Sequence, residues 1–111
     1  MTRTKYLVRK AIANAVNSPA PFMAGCYLGM GCDLFVEKRQ IDTEEDERGA
    51  RYMLSFDIVS ASGRAVPRLE VGYWEIPREV DRKEFAESLT EWLIEENKFL
   101  SFLEADDEVE L

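Results

Sequence analysis

The 111-residue chain contains no histidine. That absence removes Ser-His-Asp and Cys-His catalysis, His-ligated zinc or haem, and any imidazole general base. Cysteine is nearly absent as well: Cys26 and Cys32 are the only two, and a pair of thiols without histidine does not complete a structural zinc site. No apolar run reaches the about 18 residues of a membrane span, and the N-terminus lacks the apolar segment and small-residue cleavage site of a secretory signal. No membrane association is expected, and the expected location is cytoplasmic. The sequon-like Asn17-Ser18-Pro19 is spoiled by its proline. Basic residues are few, 14 Lys plus Arg against 22 Asp plus Glu, so the chain carries −8 and direct nucleic-acid binding through a basic surface is disfavoured.

Apolar residues, by contrast, make up 46% of the sequence and aromatics 11%, enough for one ordinary core. A chain of this length buries roughly 65% of the surface that it exposes when unfolded. One domain over residues 1–105 is expected, followed by an acidic tail, 106–111, whose carboxylates oppose the dipole of a preceding helix and fray it. Charge is unevenly distributed: residues 1–41 carry net +4, residues 42–80 net −4 and residues 81–111 net −8. The two ends neutralise each other if they share a surface; otherwise the C-terminal part projects a negative field.

Apolar pairs Leu7/Val8, Ala11/Ile12 and Ala15/Val16 recur at helical spacing over residues 4–17, and Ser18-Pro19-Ala20-Pro21 ends that helix. From Cys26 to Val36 the period becomes two, with Cys26, Leu28, Met30, Cys32, Leu34 and Val36 on one face, which predicts a single strand. In a straight strand the two cysteines stand about 20 Å apart, beyond disulfide reach, and read as small core hydrophobes. Gly25, Gly29 and Gly31 in that strand lack the third glycine and following helix of a dinucleotide motif; they mark a close approach of other backbone, most simply the protein's own helix. A second strand places Tyr52, Leu54, Phe56 and Ile58 on one face, and a third alternates Leu69, Val71 and Tyr73 against Glu70, Gly72 and Trp74. Asp81, with Glu84 three residues on, reads as the N-cap of a helix over about 82–104. The expected architecture is a two-layer α+β domain of order α-β-β-β-α, a three-stranded antiparallel meander with the N- and C-terminal helices packed on it.

No catalytic constellation, cofactor motif or metal-ligand cluster stands out. Glu84, Glu87, Glu91 and Glu95 follow at intervals of three, four and four, which stacks four carboxylates along one helix face about 5–6 Å apart. Such a ridge is either a solvated face or an imitation of a phosphate backbone. Asp42, Glu44, Glu45, Asp46 and Glu47 form a second acidic patch, too charged to be buried and read as a loop. Glu96 falls on the apolar side of the predicted helix, where a carboxylate needs a partner such as Arg51 or Arg68, or has a raised pKa. Trp74, Ile76, Tyr27, Ile94 and Phe102 lie off the main apolar faces; aromatics beside carboxylates suit an interface, and Trp74 is the anchor placed with the two acidic patches as partner-binding.

In size, acidity and simple α+β architecture the chain is similar to inhibitors of nucleases, immunity proteins and phage-encoded anti-restriction or anti-CRISPR proteins, without a signature motif of any of them. The expectation is a non-enzymatic protein-binding module that occupies a basic surface of a nucleic-acid-handling protein by mimicking nucleic acid, with no cofactor and no metal. The alternative is a homo-oligomeric structural or assembly protein, possible as a homodimer, in which the glycine-bearing strand and the surplus aromatics pair with another copy and the basic first helix meets the acidic last one. An enzyme needs Glu96 or Asp57 with an Arg or Tyr in a pocket.

Overall fold

In a computed structural model that describes residues 1–41, 49–60 and 67–106, the chain runs α1 (Arg3–Asn17), β1 (Phe22–Gly29), β2 (Cys32–Gln40), β3 (Arg51–Ser60), β4 (Leu69–Trp74), α2 (Glu79–Glu96) and α3 (Lys98–Asp106). The strands form one antiparallel sheet in the order β1-β2-β3-β4. The α+β fold and the meander are as the sequence predicts, but the meander has four strands. The predicted strand Cys26–Val36 is a hairpin: Gly29 (φ 100°), Met30 (φ 53°) and Gly31 (φ 71°) turn the chain through left-handed backbone that glycine adopts without a Cβ penalty. The alternation hid the turn for a geometric reason. Cys26 pairs with Leu34 and Ala24 with Val36, so even-numbered residues oppose even-numbered residues, and the period of two continues through the turn on the same face.

Even-numbered residues of β2 and β3 point to the core: Leu34, Val36, Leu54, Phe56 and Ile58 are buried, and β4 adds Tyr73. Helix α1 lies across β1 and β2 and buries Val8, Ile12, Ala15 and Val16 against them. Thr2 caps it, its hydroxyl accepting from the Lys5 amide at 3.2 Å. Helix α2 lies beside α1 and reaches β4 through Phe85, whose ring centroid is 4.9 Å from that of Tyr73. The Cys thiols are free. Cys32 is buried and Cys26 half-buried, and desolvation pushes both thiol pKa values up, the condition of inert packing groups.

Two helix boundaries differ from expectation. Arg78, not Asp81, occupies the N-cap position of α2, and it makes no side-chain cap bond. Asp81 instead sits in the first turn and accepts from the Arg78 guanidinium at 2.6 and 2.9 Å, a charge favourable at that end of the dipole. The predicted long helix is divided at Asn97. The Asn97 Oδ1 accepts from the amides of Phe99 and Leu100 at 3.0 and 3.1 Å, the N-cap of a new helix. The buried stripe of α2 runs through Ala86, Leu89, Thr90, Leu93 and Ile94, which leaves Glu96 exposed at the helix end, while α3 beyond the break buries Leu100 and Leu103. Glu96 therefore needs no buried partner, and neither of the arginines proposed for it lies against it; Arg68 pairs elsewhere and Arg51 lies over Trp74.

Candidate functional site

The four carboxylates of the α2 ridge, Glu84, Glu87, Glu91 and Glu95, are all exposed along α2. The ridge is not isolated, because α1 carries four cations and no acid and runs beside it. Lys5 Nζ donates to Glu91 Oε1 at 3.0 Å, with the Glu91 side chain still 64% exposed. Glu87 shares with Tyr6, Arg9, Lys10, Val80 and Lys83 the walls of an open cleft of about 760 Å³ between α1 and α2. The two helices thus neutralise each other in part within one chain. A bridge this exposed contributes about 0–1 kcal/mol, so Lys5 orients Glu91 without removing it from solvent.

Trp74 does not join the ridge. It lies in β4 directly opposite Arg51 in β3, on the sheet face turned away from the helices, with the Arg51 guanidinium carbon 5.5 Å from its ring. Its half-burial belongs to that face, so Trp74 and the α2 ridge occupy opposite sides of the described molecule. Asp42, Glu44, Glu45, Asp46 and Glu47 lie outside the described residues, as do residues 107–111 of the acidic tail.

The uncovered sheet face carries two features that the sequence reading missed. Arg68 is a hub: its guanidinium bonds Glu37 at 3.0 Å, Asp57 at 3.0 Å and Glu70 at 3.2 Å, and Arg39 approaches Glu37 and Glu70 at 3.7 and 3.9 Å. Register makes the hub. Ser55 lies opposite both Glu37 and Glu70, so acids far apart in sequence line up across three strands. The signal was their shared outward parity. At the β1–β2 end the same face becomes apolar, with Met23, Tyr27 and Phe35 exposed by 66%, 57% and 38%. The Phe35 ring lies over Gly25, where a Cβ would come within 2.9 Å of it; Gly25 admits this ring rather than the helix expected there.

Under the helix layer, Lys38 is 5% exposed. Its ammonium donates to the carbonyls of Val16 (3.1 Å) and Ser18 (2.7 Å), closing the C-terminus of α1, and lies 4.3 Å from the Tyr52 ring centroid. A space of about 390 Å³ opens beside it, lined also by Tyr73, Glu75 and Arg82. Arg82 is committed to the carbonyls of Ile76 and Pro77 and to Asn17 Oδ1. Each cation is thus tied to main-chain carbonyls that it fixes in place, and the group ties α1, β2 and the start of α2 together. Burial lowers the Lys38 pKa, with Glu75 opposing and Arg82 reinforcing that shift.

No described helix is long and apolar enough to cross a membrane, and among the described residues no group of three or more Cys, Asp or Glu side chains is placed to hold a metal ion. Compared with models of known families, with curated proteins and with solved structures, the chain gives no significant match.

Proposed function

We propose that the chain is a non-enzymatic, acidic protein-binding module of the cytoplasm that occupies a basic surface on a nucleic-acid-handling protein, in the manner of a nuclease inhibitor, immunity protein or phage anti-restriction or anti-CRISPR protein. The observation that carries the reading is the continuous exposure of Glu84, Glu87, Glu91 and Glu95 along α2, extended at its end by exposed Glu96. Carboxylates about 5–6 Å apart on a rigid helix present a regular line of negative charge, and a line of that kind attracts a cationic groove at long range and loses affinity as salt screens it. Partial neutralisation by α1 limits the field to the outer side of α2, which gives it a direction.

The test is capture from a bacterial lysate at low and at moderate salt, repeated with Glu87→Lys/Glu91→Lys and with Glu108→Lys/Glu110→Lys. The expected result is a nucleic-acid-handling protein that elutes with salt, is displaced by duplex DNA, and is lost with the first pair of substitutions but retained with the second. Equal loss in both pairs, or retention in both, removes the ridge from the function.

A further inference from the structure

We infer that the free edge of β1 is an interface for a second copy of this chain, pairing antiparallel about Gly25 so that the two four-stranded sheets become one. Among the described residues β1 is an end strand of the sheet. Its sequence, Phe-Met-Ala-Gly-Cys-Tyr-Leu-Gly, carries no charge and no proline, whereas edge strands that remain unpaired are guarded by such residues. Met23, Ala24 and Gly25 are exposed in succession, on both faces of the strand. One acceptor near its end is already taken: Arg3 Nη1 donates to the Leu28 carbonyl at 2.8 Å, which leaves Met23–Tyr27 as the open segment.

The occupant is a second copy because the segment is complementary to itself. Strands that continue a sheet antiparallel about a two-fold axis place residues of the same face opposite each other. Centred on Gly25, Met23 meets the second copy's Tyr27 on the outer face, Ala24 meets its Cys26 on the inner face, and glycine meets glycine. Large side chains oppose large ones outside and small oppose small inside. The exposed Met23, Tyr27 and Phe35 of both copies then form one apolar patch, and each Phe35 ring stays over its own Gly25. Helix α2 packs along the far side of α1 and onto β4 through Phe85, so the pairing leaves the acidic ridge in solvent. This inference stands apart from the function proposed above.

Sedimentation equilibrium of the full chain from 1 to 200 µM tests it, with two charge variants that share the same loss of the Tyr27 hydroxyl, which accepts from the Gly31 amide at 3.2 Å. The wild type is expected to be dimeric. Met23→Lys/Tyr27→Lys sets like charges opposite each other and is expected to be monomeric, its dissociation constant raised at least 100-fold. Met23→Glu/Tyr27→Lys sets opposite charges there and is expected to recover the dimer. A monomeric wild type at 200 µM overturns the proposal, as does a dimer that survives the double lysine change, and a charge pair that fails to recover the dimer overturns the Gly25-centred register. Monomeric Met23→Lys/Tyr27→Lys that still captures a basic partner separates this surface from the ridge.

Discussion

β1 and β4 are the two edges of one sheet, and they are finished in different ways. The β4 edge is preceded by Arg68, carries Glu70 outward, and is bound through Arg68 to carboxylates on the two strands behind it and through Glu70 to Arg39 of β2. Its inner face is closed by Tyr73 stacked between Tyr52 (5.6 Å) and Phe85 (4.9 Å). The β1 edge has no charge on either face, and its inner residue Ala24 is exposed. One edge is shut by helix packing and fixed charge; the other is left sticky. An open apolar edge is an aggregation hazard unless a partner covers it, and the pairing proposed for β1 would supply that cover.

The largest expected effect comes from opening the guarded edge. Phe85→Ala removes the ring that joins α2 to Tyr73 and leaves a void at the helix–sheet boundary; for a partly buried Phe the cost is about 3 kcal/mol, read as a lowered urea midpoint. Hydrogen exchange at Val71 and Tyr73 should then approach that of β1, while Leu54 in the central strand stays protected. A loss below about 1 kcal/mol shows that β4 is held by its charges rather than by α2, and the contrast between the edges becomes electrostatic.

Lys38→Met sharpens the same contrast from the core, since Lys38 ties the end of α1 to the β4 side of the sheet through Tyr52 and Tyr73. Two charge-assisted bonds are lost and two carbonyls are left unsatisfied, against which the variant escapes the desolvation of a charge; the net cost is about 1–2 kcal/mol near pH 7. The pH dependence has a fixed sign. Burial lowers the folded-state pKa of Lys38 below the ordinary 10.5, so between that lowered value and 10.5 the unfolded chain binds more protons and stability rises with pH. The advantage of wild type over Lys38→Met should therefore grow toward pH 10.5 in urea titrations; an advantage that shrinks contradicts the burial of a charged lysine.

How much of this was legible depends on which residues carried one meaning. Leu54, Phe56 and Ile58 alternate within one uninterrupted strand, and Val8, Ile12 and Ala15 keep a helical period, so the layers and the α+β class were readable. The β1–β2 hairpin was not, because its pairing preserves parity and Met30 stands in the turn as an apolar residue in an apolar position. The break at Asn97 was concealed by its size: one capping side chain divides a helix without a proline or glycine to mark it. The ridge of α2 was legible because it lies on one continuous helix. Its neutralisation by Lys5, the Arg68 hub and the placement of Trp74 on the opposite face all depend on packing between elements, which periodicity within an element does not encode.

The smallest expected effect separates packing from hydrogen bonding at the guarded edge. Tyr73 is 8% exposed, and its buried hydroxyl has no hydrogen-bond partner among the described residues, so its ring packs between Tyr52 and Phe85 while its polar atom carries a desolvation cost. Tyr73→Phe keeps the ring and deletes that atom; the expected change is between none and about 1 kcal/mol of added stability. Burial, with Tyr52 adding to it, raises the phenol pKa well above its ordinary value of 10. The folded state therefore holds its proton where the unfolded chain loses it, and this contribution to stability is complete below pH 10 and declines as pH rises beyond. Tyr73→Phe should flatten the alkaline fall in urea midpoint that wild type shows above pH 10. A destabilisation above about 1 kcal/mol at pH 7 gives the hydroxyl a partner in solution, and β4 is then closed by a polar contact; an unchanged midpoint leaves the edge closed by ring packing alone, the property that β1 lacks.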